Sequence, residues 1–253
     1  MKMKTLLSRL MITAVASVGS QALAQSTFNG NGSTAWNGAI GNAQLSLSDN
    51  GTTLSGSLTT GAGLSGNAFV LYLQSGAGGF SSTSGFNDNG DSLRSALSQY
   101  GGTGEQSIMN FSGGFAPNYA IALQPGAGIN FGGLWQLANG GANSQNFITS
   151  INLAPTGSDA QGTYTFSLSL SNLGLTPGAG QSFELFGLQV STTGYSSPEA
   201  LGGNMSGTSG WGNTQTETSF STYTTAVPEP SSTALWMLSG IAGMVFVMRR
   251  RSA

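Results

Sequence analysis

The sequence predicts an all-β fold, an antiparallel β-sandwich of jelly-roll-like kind with one short helix, and three observations predict it. Short runs of polar and apolar alternation recur through the middle of the chain, turn-forming Gly, Asn and Ser separate them, and a single stretch switches to a helical period. The 253 residues are enough for one β-rich domain or two small ones, with length to bury a real core.

Residues 43–48 alternate as Ala-Gln-Leu-Ser-Leu-Ser, Asp49, Asn50 and Gly51 supply a turn, and residues 53–58 resume the alternation. Asn-Gly tolerates the positive φ of a tight hairpin, so this pair reads as a β-hairpin. Further strands are expected at 68–73, 119–123, 131–137, 147–153, 163–170, 183–190 and 220–224. The run from Thr163 is the cleanest, with Tyr164, Phe166, Leu168 and Leu170 on one face. Between the β segments, Leu93, Ala96, Leu97 and Tyr100 fall at i, i+3, i+4 and i+7, which predicts a short amphipathic helix on the sandwich edge. Asp91 is its N-cap, Gly101 and Gly102 end it, and Arg94 pairs with Asp91 or Asp88.

Charge is scarce and segregated. Only 6% of residues are charged, against roughly 25% in ordinary soluble domains. Lys2, Lys4 and Arg9 sit at one end and Arg249, Arg250 and Arg251 at the other, leaving Arg94 as the only basic residue between. The body is therefore acidic and offers no cationic footprint for phosphates, which excludes nucleic acid as a partner. Cys and His are both absent. That removes disulfides, thiolate nucleophiles, Cys-ligated zinc and the Ser-His-Asp triad, and no Lys lies in the body to make a Ser-Lys pair.

The two ends carry targeting patterns. A basic start, an apolar stretch from Leu10 to Val18, and Ala22 and Ala24 before Gln25 have the three parts of a secretory signal peptide, cleaved after Ala24. At the other end, residues 231–248 hold no charge; as a helix at about 1.5 Å per residue they would just span a thin bilayer. Arg249, Arg250 and Arg251 would then stay cytoplasmic and leave the body on the far side of the inner membrane, as the signal peptide also requires.

Val227-Pro228-Glu229-Pro230, the apolar helix and the terminal Arg cluster together resemble the PEP-CTERM sorting signal of exported proteins from Gram-negative bacteria that make exopolysaccharide. The resemblance implies that an exosortase recognises Pro228, Glu229 and Pro230, cuts nearby, and releases or transfers the protein; the chemistry would be the partner's. Pro228 and Pro230 suit this by holding the segment extended. The segments FSGGFAPNYAIAL, LSNLGLTPGAGQSFELFGLQV and TTGYSSPEALG are also similar to the body of a recurrent group of exported PEP-CTERM proteins, a group that implies no activity. The expected organisation is a signal peptide at 1–24, a β-sandwich body at 25–210, a Ser/Thr-rich stalk or edge strand at 211–226, and the sorting segment at 227–253.

Three features of the body bear on chemistry. Asn87, Asn89 and Asp91 have a spacing that could wrap Ca²⁺, set against the alternative of an Asx-rich turn capping the helix; no other metal and no cofactor is expected. Scattered carboxylates, Glu105, Glu184, Glu199 and Glu217 among them, leave a secreted glycoside hydrolase formally open, though acids without a motif are expected to be solvated. Trp36, Trp135, Trp211, Tyr72, Tyr195 and Tyr223 could stack on sugar rings; Tyr72 and Trp135 lie in apolar strands and are expected in the core, whereas Trp36 and Trp211, flanked by Asn and Gly, are the candidate glycan-binding residues. The expectation is an exported surface or matrix protein without catalytic role, handled by the secretion translocon and an exosortase, with an extracellular carbohydrate-binding module as the alternative.

Overall fold

Alternation turns into strands wherever one face can be buried. The chain runs through β1 (Ala24–Asn29), β2 (Gln44–Asp49), β3 (Thr53–Thr59), β4 (Ala68–Gln74), the helix α1 (Ser92–Ser98), β5 (Ile108–Asn110), β6 (Tyr119–Gln124) and β7 (Phe131–Gln136). It continues through β8 (Asn146–Asn152), β9 (Ala154–Ser158), β10 (Gln161–Ser169), β11 (Ser182–Val190), β12 (Ser196–Leu201), β13 (Asn204–Gly207), β14 (Thr214–Ser219) and β15 (Ser221–Thr224). This computed structural model describes residues 23–227 apart from 65, 102–104, 126–130 and 159–160. The expected signal peptide as far as Ala22, Pro228 to Pro230, the expected spanning segment 231–248 and Arg249 to Arg251 lie outside the described residues; among those described, no helix is long and apolar enough to cross a membrane.

The strands form a sandwich. One sheet has the order β1-β2-β3-β10-β9, the other β12-β11-β4-β6-β7-β8 with β15 also on β11, and every pairing within them is antiparallel. A third, small sheet, β13-β14-β5, contains the parallel pair β14 and β5. The inner faces enclose a core in which Leu45, Leu47, Leu54, Leu58, Phe166 and Leu168 meet Phe69, Leu71, Ile121, Leu134 and Leu185. Gly56 sits in β3 opposite Phe166, and a Cβ there would stand 2.1 Å from the ring, so only glycine admits Phe166 to the core.

The second sheet is covered on both sides. Its outer face, with Val70, Tyr72, Ala120, Trp135, Phe186 and Leu188, packs under Leu93, Ala96 and Leu97 of α1, Phe111 and Phe115, and Met109 and Met205 of the small sheet. This explains why β4 reads Ala-Phe-Val-Leu-Tyr-Leu without alternation, since a strand buried on both faces has no polar side. It also corrects the expected place of the helix, which lies against the central strands β4 and β6 and not at the sandwich edge.

The hairpin turn forms as its residues dictate: Gly51 adopts φ 84°, the Asp49 carboxylate accepts its N–H at 2.7 Å, and the Asn50 side chain accepts from Thr52 and Thr53. Asp91 caps α1 by accepting from the N–H groups of Leu93 and Arg94 at 3.0 and 2.8 Å. The helix ends earlier than Gly101 and Gly102, at Gln99, which takes φ 51° and returns its N–H to Ala96.

Both ends of the body meet at Asp49. Ala24 lies opposite it in the β1–β2 ladder, Ala226 donates its N–H to both carboxylate oxygens at 3.0 and 3.1 Å, and the Tyr223 hydroxyl donates to Asp49 at 2.7 Å. Tyr223 also reaches the carbonyl of Ala24, at 3.0 Å. The Ser/Thr-rich segment before Val227 forms the strands β14 and β15 and is part of the body.

A candidate glycan-facing site

Three loops bring three aromatic side chains together. Trp36 comes from the β1–β2 connection, Tyr195 from the turn between β11 and β12, and Trp211 from the connection between β13 and β14. The rings of Trp36 and Tyr195 meet edge to face with centroids 4.6 Å apart, and those of Tyr195 and Trp211 do so at 4.8 Å. Trp211 is 54% exposed, while Trp36 and Tyr195 are half-buried. The Trp211 indole N–H donates to the Thr193 hydroxyl at 3.4 Å.

Each loop is fastened from beneath. Glu199, wholly buried, accepts the N–H groups of Trp36 and Gly38 on one oxygen and of Ile40 and Gly41 on the other, so its charge is matched by four backbone dipoles. Asn31 donates to the carbonyl of Pro198 and to the Asn204 side chain, each at 3.0 Å, and so ties the same loop to β12 and β13. The Ser191 hydroxyl accepts from the N–H of Tyr195 at 2.8 Å, and Ser196 exchanges backbone hydrogen bonds with Gly210, one residue from Trp211. The aromatic groups are therefore held in place before any ligand arrives. Edge-to-face pairs contribute about 0.5 to 1.5 kcal/mol each beyond area burial. The rings are tilted against one another and form no flat platform, but the exposed part of Trp211 offers apolar ring surface of the kind that stacks on sugar rings.

The other aromatics are structural. Tyr72 and Trp135 are in the second core, as their strands imply, and Tyr223, one of the residues available for stacking, is buried in the first. The Tyr72 hydroxyl donates to the carbonyl of Leu97 at 2.7 Å, and burial raises its pKa. Burial also raises the pKa of Tyr223, and the adjacent Asp49 carboxylate raises it further.

Four of the carboxylates overturn the expectation that scattered acids are solvated. Asp49, Asp88, Glu199 and Glu217 are all buried. Asp88 accepts from the N–H groups of Gly90, Asn143 and Gln145 at 3.0, 2.8 and 2.8 Å, and the Arg94 guanidinium lies 2.9 Å away. Burial works to raise the Asp88 pKa, but these amides and Arg94 outweigh it and hold the group below its ordinary value. Asp91 is engaged by its helix cap and by Arg94 at 3.0 Å, and Asn87 and Asn89 are exposed beside it. Glu217 accepts from the N–H of Ser112 at 2.8 Å, while its other oxygen is buried without a partner; burial here prevails and raises the pKa. Of the remaining acids named for hydrolysis, Glu105 is exposed, and Glu184 lines a 230 Å³ hollow with Gln74, Ser75 and Thr222. Among the described residues, no three acids cluster to hold a metal.

A family model of the PEP-CTERM protein-sorting motif matches residues 226–251. No curated protein and no solved structure matches the chain.

Proposed function

We propose that this chain, which carries a PEP-CTERM protein-sorting motif and is exported and sorted by an exosortase, sets a noncatalytic β-sandwich at the cell surface or in the extracellular matrix, where it associates with exopolysaccharide. The observation that carries this reading is the partly exposed Trp36, Tyr195 and Trp211 cluster, assembled from three loops and braced by Glu199 and Asn31. A noncatalytic role is favoured by the work of the acids, since Asp49, Asp88, Glu199 and Glu217 accept hydrogen bonds from the fold's own backbone. In this reading the segment 231–248 holds the protein in the membrane before processing, Arg249 to Arg251 stay on the cytoplasmic side, and cleavage near Pro228, Glu229 and Pro230 frees the body.

The test is co-sedimentation of the exported protein with the exopolysaccharide of its own host. Trp211→Ala and Trp36→Ala should each weaken retention about five- to tenfold, as expected for losing about 1 to 1.4 kcal/mol of stacking. Trp211 is an exposed loop residue whose replacement forfeits only its ring pair with Tyr195 and one hydrogen bond, so the melting temperature should fall by no more than a few degrees. Retention by the double variant at the level of the parent protein would remove the cluster from the account.

A further inference from the structure

The outer face of the first sheet has a composition of its own. Across β2, β3 and β10 the ladder sets Ser46 beside Ser57 and Thr165, and Ser48 beside Ser55 and Ser167. On β1 the rows continue in Thr27 and Gln25, and a further row runs Asn29, Gln44, Thr59, Thr163. These positions carry only hydroxyl and amide groups. The side chains are linked along the rows, Thr59 to Thr163 at 2.9 Å, Asn29 to Gln44 at 3.2 Å and Thr27 to Ser46 at 3.3 Å, which fixes their orientation. Strand geometry spaces the groups about 4.8 Å across the sheet and about 6.8 Å along it.

The face is hollowed as well as polar. A groove of about 510 Å³ runs over the Ser46, Ser48, Ser55, Ser57, Thr165 and Ser167 floor, with Gln25 on one rim and Asn152 on the other. That volume falls within the roughly 300–1,000 Å³ of ordinary ligand sites. Its lining has no charged side chain and no exposed aromatic ring, which distinguishes it from the Trp36, Tyr195 and Trp211 cluster.

We infer that this groove is a second saccharide site, which takes one chain of a neutral, hydroxyl-rich polysaccharide; the inference rests on the cell-surface placement proposed above. Neutrality follows from charge matching, because a uronate or sulfated chain would lose hydration on entering and meet no cation. Hydroxyl and amide rows can donate to and accept from the ring hydroxyls of such a chain at successive positions. Concavity fits a single rod-like chain, where a flat crystalline surface would touch only the rims.

The exported protein, purified from its host, tests this on an array of neutral hexasaccharides, cellohexaose and mannohexaose among them, alongside hexuronates. Neutral hexamers should bind, and equally at low and high salt. The double variant Ser57→Ala, Thr165→Ala, which removes two floor hydroxyls, and Ser55→Lys, which sets a charge in the groove, should each weaken that binding at least fivefold. Trp211→Ala should leave it intact, which separates failure of this site from failure of the aromatic cluster. Binding of hexuronates alone, groove variants that bind as the parent does, or loss of hexamer binding in Trp211→Ala would each overturn the assignment.

Discussion

Asp49, Asp88, Glu199 and Glu217 are shut off from solvent, and each accepts N–H groups of another segment, Glu217 on one oxygen only. In a chain with few ion pairs to offer, buried carboxylates satisfy loop backbones that would otherwise need water. Their titration should be visible in stability. Folding raises the Glu217 pKa, so its contribution is fully present below the unfolded value, about 4.3, and is lost as pH rises through the folded value. Glu217→Gln should therefore melt with the parent in acid and above it at neutral pH, in scanning calorimetry across both. Asp88 has the opposite sign: its lowered pKa gives stability above about pH 3.9 that disappears as pH falls through the folded value. Asp88→Asn should cost about 2 kcal/mol at neutral pH, the scale of charge-assisted bonds, with the deficit closing in acid. The Arg94 partner of Asp88 and the turn role of Asp49 were legible in the sequence, but the burial of these acids was not, because an acid whose donors come from distant loops is written like a solvated one. Asp91 was legible as a cap, since its partners lie two and three residues on.

At the scale of elements, alternating or continuously apolar runs located nine strands, and β1, β5, β9, β12, β13 and β14 escaped them. The missed strands are short or polar, and β12 contains Pro198, which a strand tolerates at the sheet edge that β12 occupies. The helix was legible from its period and its cap, but its C-terminus was not. Gln99 is buried and held in the left-handed region while Ser107 donates to its carbonyl, a tertiary constraint that no local signal carries. The aromatic cluster divides in the same way. Trp36 and Trp211 stood out through their Asn and Gly neighbours, whereas the meeting of both at Tyr195 required the loops of three strand pairs to converge. Asp91→Ala should lower stability by about 1 kcal/mol through loss of the cap, measured by urea unfolding. Gly56→Val should be far worse, because its side chain enters the volume of the Phe166 ring.

At the scale of the whole molecule, the function is divided between address and body. The address was the most legible part of the sequence, since three signals in fixed order need no fold to be read. The body was legible as a sandwich, yet the surfaces proposed to meet saccharide depend on register and loop convergence. Mass spectrometry of the protein from its host should find a chain beginning at Gln25 and ending near Pro228 to Pro230; a mature form that retains Arg251 would contradict processing of the tail. Asp49 gives this processing a geometry. It holds Ala24 through the Tyr223 hydroxyl and Ala226 directly, so the residue before the expected first cut and the residue before the sorting motif leave the sandwich at one pole. One carboxylate thus works as a buckle for the body: a change at Asp49 would release its first strand and its last residues together.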